Sequence, residues 1–251
     1  MEEYLPMEEV HDILLEIMKD IDKFCRENNI PYTISAGTML GAIRHGGFIP
    51  WDDDADLFML REDFDRFVKT YKSDKYHLLY HATGDDEYHS SAFAKVNDPS
   101  TTATDGKRNY SKYGATVDIF PLDPVPEDPK ERKKYMHKVI SMHNRLYHRQ
   151  QKDIISILKS YRHSLEWWWN KIDETVRDGK YDNSPIVAQL IGTDNYRTVL
   201  NKDWFDHLTD IKFEGYDFLG FNNPHEYLEM LYGPDYMTPK RWSHNLRIKR
   251  K

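Results

Sequence analysis

With one cysteine in 251 residues, the chain cannot form an intrachain disulfide, so no covalent brace replaces a folded core. Cys25 falls on the apolar face of a predicted helix, where a thiol acts as a small core residue, and such cysteine usage fits a reducing compartment. No run of about 18 apolar residues occurs, so no membrane-spanning helix is expected. The opening Met1-Glu2-Glu3-Tyr4-Leu5-Pro6 lacks the basic and apolar regions of a secretory leader, and a cytoplasmic location is the expectation. Excess positive charge is missing as well. The chain has 35 Lys and Arg against 42 Asp and Glu, a net charge of −7, which argues against a nucleic-acid partner. Internal repeats and low-complexity tracts are also lacking. Apolar residues make up 39% and aromatics 14%, enough for a sizeable core.

The densest chemistry lies in Trp51-Asp52-Asp53-Asp54-Ala55-Asp56, four carboxylates in five positions. If Ala55–Leu60 is a strand, its period of two places Asp54 and Asp56 on one face. Clustered acids repel one another and are tolerated mainly with a cation among them. An all-oxygen donor set suits Mg²⁺ or Mn²⁺. A bare Asp-x-Asp is more often a solvated loop. Here Phe48-Ile49-Pro50-Trp51 and Leu57-Phe58-Met59-Leu60 flank the acids, and such apolar flanks do not belong to a solvated loop. Just upstream, Gly37-Thr38 opens a predicted helix, whose first N–H groups suit phosphate. Asp118 stands in Ala115-Thr116-Val117-Asp118-Ile119-Phe120. A charge in an apolar strand is costly unless paired or metal-bound. It reads either as the exposed face of an edge strand or as a third carboxylate beside Asp54 and Asp56, able to take the proton of an attacking hydroxyl.

Periodicity places an amphipathic helix at 7–28 and short strands at 32–36, 76–81 and 92–96. It also places helices at 38–44 and 62–71 and strands at 55–60 and 115–120, the last stopped by Pro121. Residues 98–112 read as a polar loop. After Pro124-Val125-Pro126 the composition turns charged and helical through 178, with Trp167-Trp168-Trp169 expected mainly in core. The expected class is therefore α+β: a mixed sheet with flanking helices over 1–125, and a mainly helical part over 126–251 that completes a cleft.

Taken together, the stretch from Leu40 to Asp56 resembles the LicD family of phosphotransferases, to which fukutin-related proteins are also similar. Val117-Asp118-Ile119-Phe120-Pro121-Leu122-Asp123 resembles that family's second block, and Tyr232-Gly233-Pro234-Asp235-Tyr236-Met237 its C-terminal block. The resemblance implies a nucleotidyltransferase-like fold and a metal-dependent transfer. A phosphoalcohol, most often phosphocholine from CDP-choline, passes from a CDP-activated donor to a hydroxyl of a glycan or lipid-linked glycan precursor of the cell surface. It implies Asp54, Asp56 and Asp118 as catalytic metal ligands, Gly37 and Thr38 at phosphate, and Asp52 in support of the metal site. Arg44 reads as a phosphate partner or as a cation at a helix C-terminus. Lys95 reads as a contact to donor phosphates or as a cation snorkelling at a sheet edge. A choline head group would want an aromatic cage, for which Trp51, Tyr110, Tyr113, Tyr232 and Tyr236 are available.

Two other readings compete: a DxD glycosyltransferase, and a catalytically inactive nucleotide-binding module. The third Asp and the Gly-Thr turn favour the transferase. The basic run Lys240, Arg241, Arg247, Lys249, Arg250 and Lys251 reads either as a solvated tail or as a peripheral contact with the inner membrane face.

Overall fold

The computed structural model describes residues 4–81, 93–104, 110–111, 113–150, 163–191, 197–240 and 247–251. Helix α1 (Met7–Glu27) buries Val10, Ile13, Leu14, Ile17, Met18, Ile21 and Cys25 along one stripe, as the spacing of its apolar residues dictates. It ends at Asn28, and Asn29 turns the chain with φ of 51°. The α+β class holds. A seven-stranded mixed sheet runs β1 (Thr33–Ile34), β2 (Ala55–Leu60), β7 (Thr116–Pro124), β4 (Ala94–Asn97), β3 (His77–Leu79). Strand β8 (Ile186–Gln189) joins the far end of β7, and β9 (Val199–Asn201) pairs with β8. Strands β2 and β7 are parallel, and the remaining pairs in this sheet are antiparallel. Helices α2 (Ala36–His45) and α3 (Arg61–Thr70) flank β2.

Three expectations change. Strand β7 does not stop at Pro121. It continues to Pro124, because Pro121 lies where β4 ends as a neighbour, at Ile119, and β8 begins, at Leu122. A missing N–H costs little at such a handover. Within 98–112, Thr101–Thr104 form β5 and Tyr110–Ser111 form β6; Thr is polar in composition but β-branched, and it suits a strand. Of the basic run, Arg241 lies outside the described residues, and the segment from Arg247 is no solvated tail. Arg247–Arg250 form β12 on β5, Ile248 is buried, and Arg250 Nη2 lies 2.9 Å from Glu9.

Beyond residue 126 the chain supplies helices α4 (Pro129–Gln150), α5 (Leu165–Val176) and α6 (Pro224–Tyr232) and, besides β8, β9 and β12, the hairpin β10 (Leu208–Phe213) and β11 (Tyr216–Phe221). Helices α4 and α5 pack a second core around Val139, Leu146, Trp168, Trp169 and Ile172. Trp168 and Trp169 are buried, whereas Trp167 faces solvent. Among the described residues no helix is long and apolar enough to cross a membrane.

A buried ion pair closes the far end of β7. Arg61 Nε and Nη2 donate to the two carboxylate oxygens of Asp123 at 2.6 and 2.8 Å, with Asp123 fully enclosed. Breaking one partner of such a pair strands the other charge. Asp123→Asn is therefore expected to destabilise the protein by about 3–5 kcal/mol in urea unfolding, with no such loss expected for the exposed Asp128→Asn. His143 is buried in the α4–α5 core, and burial pushes its imidazole down to about 4. The unfolded chain then takes up a proton that the folded one refuses as pH falls from about 6.5 toward 4. Stability should fall across that window by up to about 3 kcal/mol, and His143→Leu should flatten the slope.

Candidate active site

The site forms at the N-terminal end of β2. In the parallel ladder Asp56 is the register partner of Asp118, and in the next ladder Asp118 is the partner of Lys95. Three adjacent strands thus carry Asp56, Asp118 and Lys95 abreast on one face. Lys95 Nζ donates to both oxygens of Asp118 at 2.6 Å. Strand β4 lies between β7 and β3, so Lys95 does not snorkel at an edge; it is committed to Asp118. The third carboxylate stands beside Asp56 on a neighbouring, buried strand, and the edge-strand reading of Asp118 falls.

The loop before β2 adds a second acid group. Carboxylate oxygens of Asp52, Asp53 and Asp54 lie within 4.8 Å of one another. Asp53, which the sequence pattern had not singled out, is buried among them. Burial, then Asp54, Asp118 and Asp52, hold the Asp56 carboxyl well above the usual carboxylate range, and Lys95 opposes the rise. Burial also raises Asp118, with Lys95 and Thr116 opposing. An all-oxygen set under this mutual repulsion fits a hard divalent cation such as Mg²⁺ or Mn²⁺.

Helix α2 holds the acids in place. Thr38 Oγ1 accepts from Asp56 N at 2.8 Å, so the Thr38 hydroxyl seats the start of β2. Ala36 begins the helix at φ of 42°, a strained setting for a residue with a Cβ, and its N–H donates to Tyr227 Oη at 2.9 Å. A Cβ on Gly37 would lie 2.7 Å from Asp52 Oδ2. The close approach made possible by this glycine is thus to the Asp52 carboxylate, drawn to the positive end of the helix. At the other end of α2, Gly46 adopts φ of 73° and a Cβ on Gly47 would overlap the Glu214 carboxylate. Glu214 Oε1 accepts from Phe48 N at 3.0 Å, which pins the Gly-Gly turn to the β10–β11 hairpin. His11 on α1 donates to the Asp52 carbonyl at 2.8 Å.

Arg44 sits in the last turn of α2, and its Nη1 donates to the Tyr236 carbonyl at 2.9 Å. Its Nη2 is buried without a hydrogen-bond partner in the protein. Both readings of Arg44 therefore keep a basis: a cation at a helix C-terminus, with one N–H pair left for a ligand. Of the aromatic candidates, Trp51 meets His45 edge-on at 6.3 Å, and Tyr232 and Tyr236 lie by Arg44. Tyr113 is half-buried in the approach to β7, and the Tyr110 side chain lies outside the described residues.

A sequence model described as LicD/FKTN/FKRP, nucleotidyltransferase domain, matches residues 29–164, more than half the chain. This chain belongs to that family. It is 29% identical over 253 aligned positions to the lipopolysaccharide cholinephosphotransferase LicD of Haemophilus influenzae, covering 93% of this chain and 92% of that protein. Shorter matches reach uncharacterized proteins of Rickettsia typhi and Rickettsia prowazekii. They are 40% and 50% identical over 27% and 20% of this chain, and over 23% and 19% of those proteins. The family match spans α2, β2, β4 and β7, and so Asp52, Asp53, Asp54, Asp56 and Asp118. His11, Glu214, Tyr227 and Tyr236, which support these residues, lie outside it.

The seat of Asp52 can be tested by a double-mutant cycle. Gly37→Ala is expected to cost about 1–3 kcal/mol in thermal or urea unfolding. In an Asp52→Ala background most of that cost should vanish, since the colliding group is gone. Additive losses would show that Asp52 does not occupy this seat in solution.

Proposed function

We propose that this chain, a LicD-type phosphotransferase, moves a phosphoalcohol from a CDP-activated donor to a hydroxyl of a cell-surface glycan precursor, with phosphocholine as the leading head group. The observation that carries the reading is the register of Asp56, Asp118 and Lys95 across three strands, beside the Asp52–Asp54 group. The likeness to a protein described as a lipopolysaccharide cholinephosphotransferase supports the same chemistry. In the balanced step, the acceptor oxygen bonds to the distal phosphorus and the pyrophosphate P–O bond breaks. CMP leaves, and the hydroxyl proton passes to a carboxylate, with Asp118 the candidate. Asp54 and Asp56, with Asp118, would hold Mg²⁺ or Mn²⁺. Such a cation supplies neutralisation of charge on the diphosphate. Asp52 supports that set from the loop before β2, its carboxylate lying against the first turn of α2. Gly37 and Thr38 line the approach, and Arg44 Nη2 and Lys95 are the cations offered to donor phosphates. On this reading residues 1–125 carry the chemistry and 126–251 complete the cleft. A lipid-linked acceptor would set the reaction at the inner membrane face.

Incubation with Mg²⁺, glycan acceptors and a panel of CDP-alcohols should release CMP. Asp54→Ala, Asp56→Ala and Asp118→Ala should each lower turnover by about 100-fold or more with the fold retained. The first two should not lower the melting temperature, whereas Asp118→Ala strands the Lys95 charge and should lower it. Turnover of sugar nucleotides instead would favour a DxD glycosyltransferase, and no turnover of either class an inactive binding module. Lys95 gives a readout apart from activity. Lys95→Met leaves Asp56 and Asp118 without their shared cation, so the metal-free melting temperature should fall by about 2–4 °C per kcal/mol lost. The rise on adding Mn²⁺ should then exceed that of the wild type. Equal rises would remove Lys95 from competition for Asp118.

A further inference from the structure

A cavity of about 240 Å³ opens away from the acid cluster, lined by Asp203, Trp204, His207, Phe221, Asn222, Asn223 and Glu226. Its walls come from the 3-10 turn Lys202–His207, the end of β11 and the first turn of α6. Trp204 packs edge-on against Phe221 at 5.3 Å, and Phe221 itself is buried beneath. One half-buried indole is thus the aromatic surface offered, a platform and not a cage. Around it stand two carboxylates, two side-chain amides and an imidazole. Asn223 Nδ2 donates to Glu226 Oε2 at 2.8 Å and holds that carboxylate in position.

We propose that this cavity binds a neutral pyranose of the glycan acceptor, apart from the phosphotransfer site; the acceptor assignment rests on the function proposed above. A pyranose offers an apolar C–H face and a rim of hydroxyls that both donate and accept. An indole face with its negative quadrupole suits the first. Carboxylates, which accept, and side-chain amides, which both donate and accept, suit the second. The two acids disfavour an anionic ligand. A quaternary ammonium ion would want several rings around it, and a single platform does not provide them. Helix α6 joins the cavity to the chemistry. Asn223 precedes it as the N-cap residue, and Glu226 lies in its first turn. Tyr227, the next residue, accepts from Ala36 N at the start of α2, and His225 bonds Tyr236, whose carbonyl holds Arg44. A sugar seated here stands on the helix that buttresses both ends of α2.

Saturation-transfer NMR on the full chain, without donor or metal, tests the site with galactose, glucose, N-acetylglucosamine and choline chloride as separate probes. At least one neutral sugar should show transfer concentrated on one ring face. The signal should drop about fivefold or more in both Trp204→Ala and Glu226→Gln and persist in Asp54→Ala. The surface change Glu226→Gln keeps the test decisive if Trp204→Ala fails to fold. No signal from any neutral sugar, a signal unchanged in Glu226→Gln, or transfer to choline alone would overturn the proposal. A protein that transfers phosphoalcohol but binds no free sugar here would sink the pocket and leave the function standing. A protein inert toward CDP-alcohols that still binds the sugar would support the pocket and reject the function.

Discussion

The parallel ladder between β2 and β7 sets Asp56 directly across from Asp118, and the geometry of the site follows from that register. A slip of either strand by one residue would turn its carboxylate onto the opposite face of the sheet and part the pair. The ladder is guarded against such a slip at both ends. At the start of β2, Thr38 Oγ1 takes the Asp56 N–H, and Ser35 N donates to the Asp56 carbonyl. At its far end Arg61, the first residue of α3, grips Asp123 on β7. Between them lie Leu57, Phe58, Ile119 and Phe120, all buried. Their apolar packing supplies the energy, while the polar clamps supply the register.

Helix α2 is the second dependency, because it stands between the acids and the C-terminal elements. Tyr227 holds its first residue, Tyr236 holds Arg44 near its last turn, and Glu214 pins the glycine turn that follows. The strained φ of Ala36 persists because these contacts over-determine the backbone there. Asp22 performs a similar task behind the sheet. It is buried on α1 and accepts from Tyr32 at 2.5 Å, Arg26 at 2.7 Å and Tyr216 at 3.1 Å. That one carboxylate ties α1, β1 and the hairpin together.

Local signals carried much of this. The bounds of β2 and of α1 follow from periodicity, and the lone Asp118 in an apolar strand pointed to a partner across the ladder. Tertiary effects account for what local signals missed. Pro121 reads as a stop unless one knows that β4 hands over to β8 beside it. Thr101–Thr104 reads as loop because Thr counts as polar, although Thr101 and Thr104 are buried in a sheet. Ile248 is one apolar residue in a basic run, too weak a signal to announce a strand that needs β5, about 150 positions away, as its template. Glu214, His11 and Tyr227 act at separations of up to 191 residues. No window of sequence reveals such contacts, and the signal that existed, the paired glycines at 46 and 47, marked the turn whose Phe48 N–H donates and not the Glu214 carboxylate that accepts.

Charge balance sets the order in which such a site can be filled. Asp52, Asp53, Asp54, Asp56 and Asp118 crowd one end of the sheet, and Lys95 is already bound to Asp118. On a chain of net charge −7, that end presents a negative field to a diphosphate and repels it at close range. Arg44 offsets part of this, but one of its two terminal nitrogens is engaged by the Tyr236 carbonyl. On the proposed function a diphosphate donor therefore approaches favourably only with its charge already balanced, and a complex of donor and divalent cation meets that condition where the free nucleotide does not. On the same proposal, a cation that neutralised Asp118 would free the Lys95 ammonium, now bonded to that carboxylate, for a donor phosphate. The pairing that neutralises Asp118 in the fold would thereby hold a donor contact in reserve on the proposed function, a role that the interior position of β4 permits and an edge strand would not require.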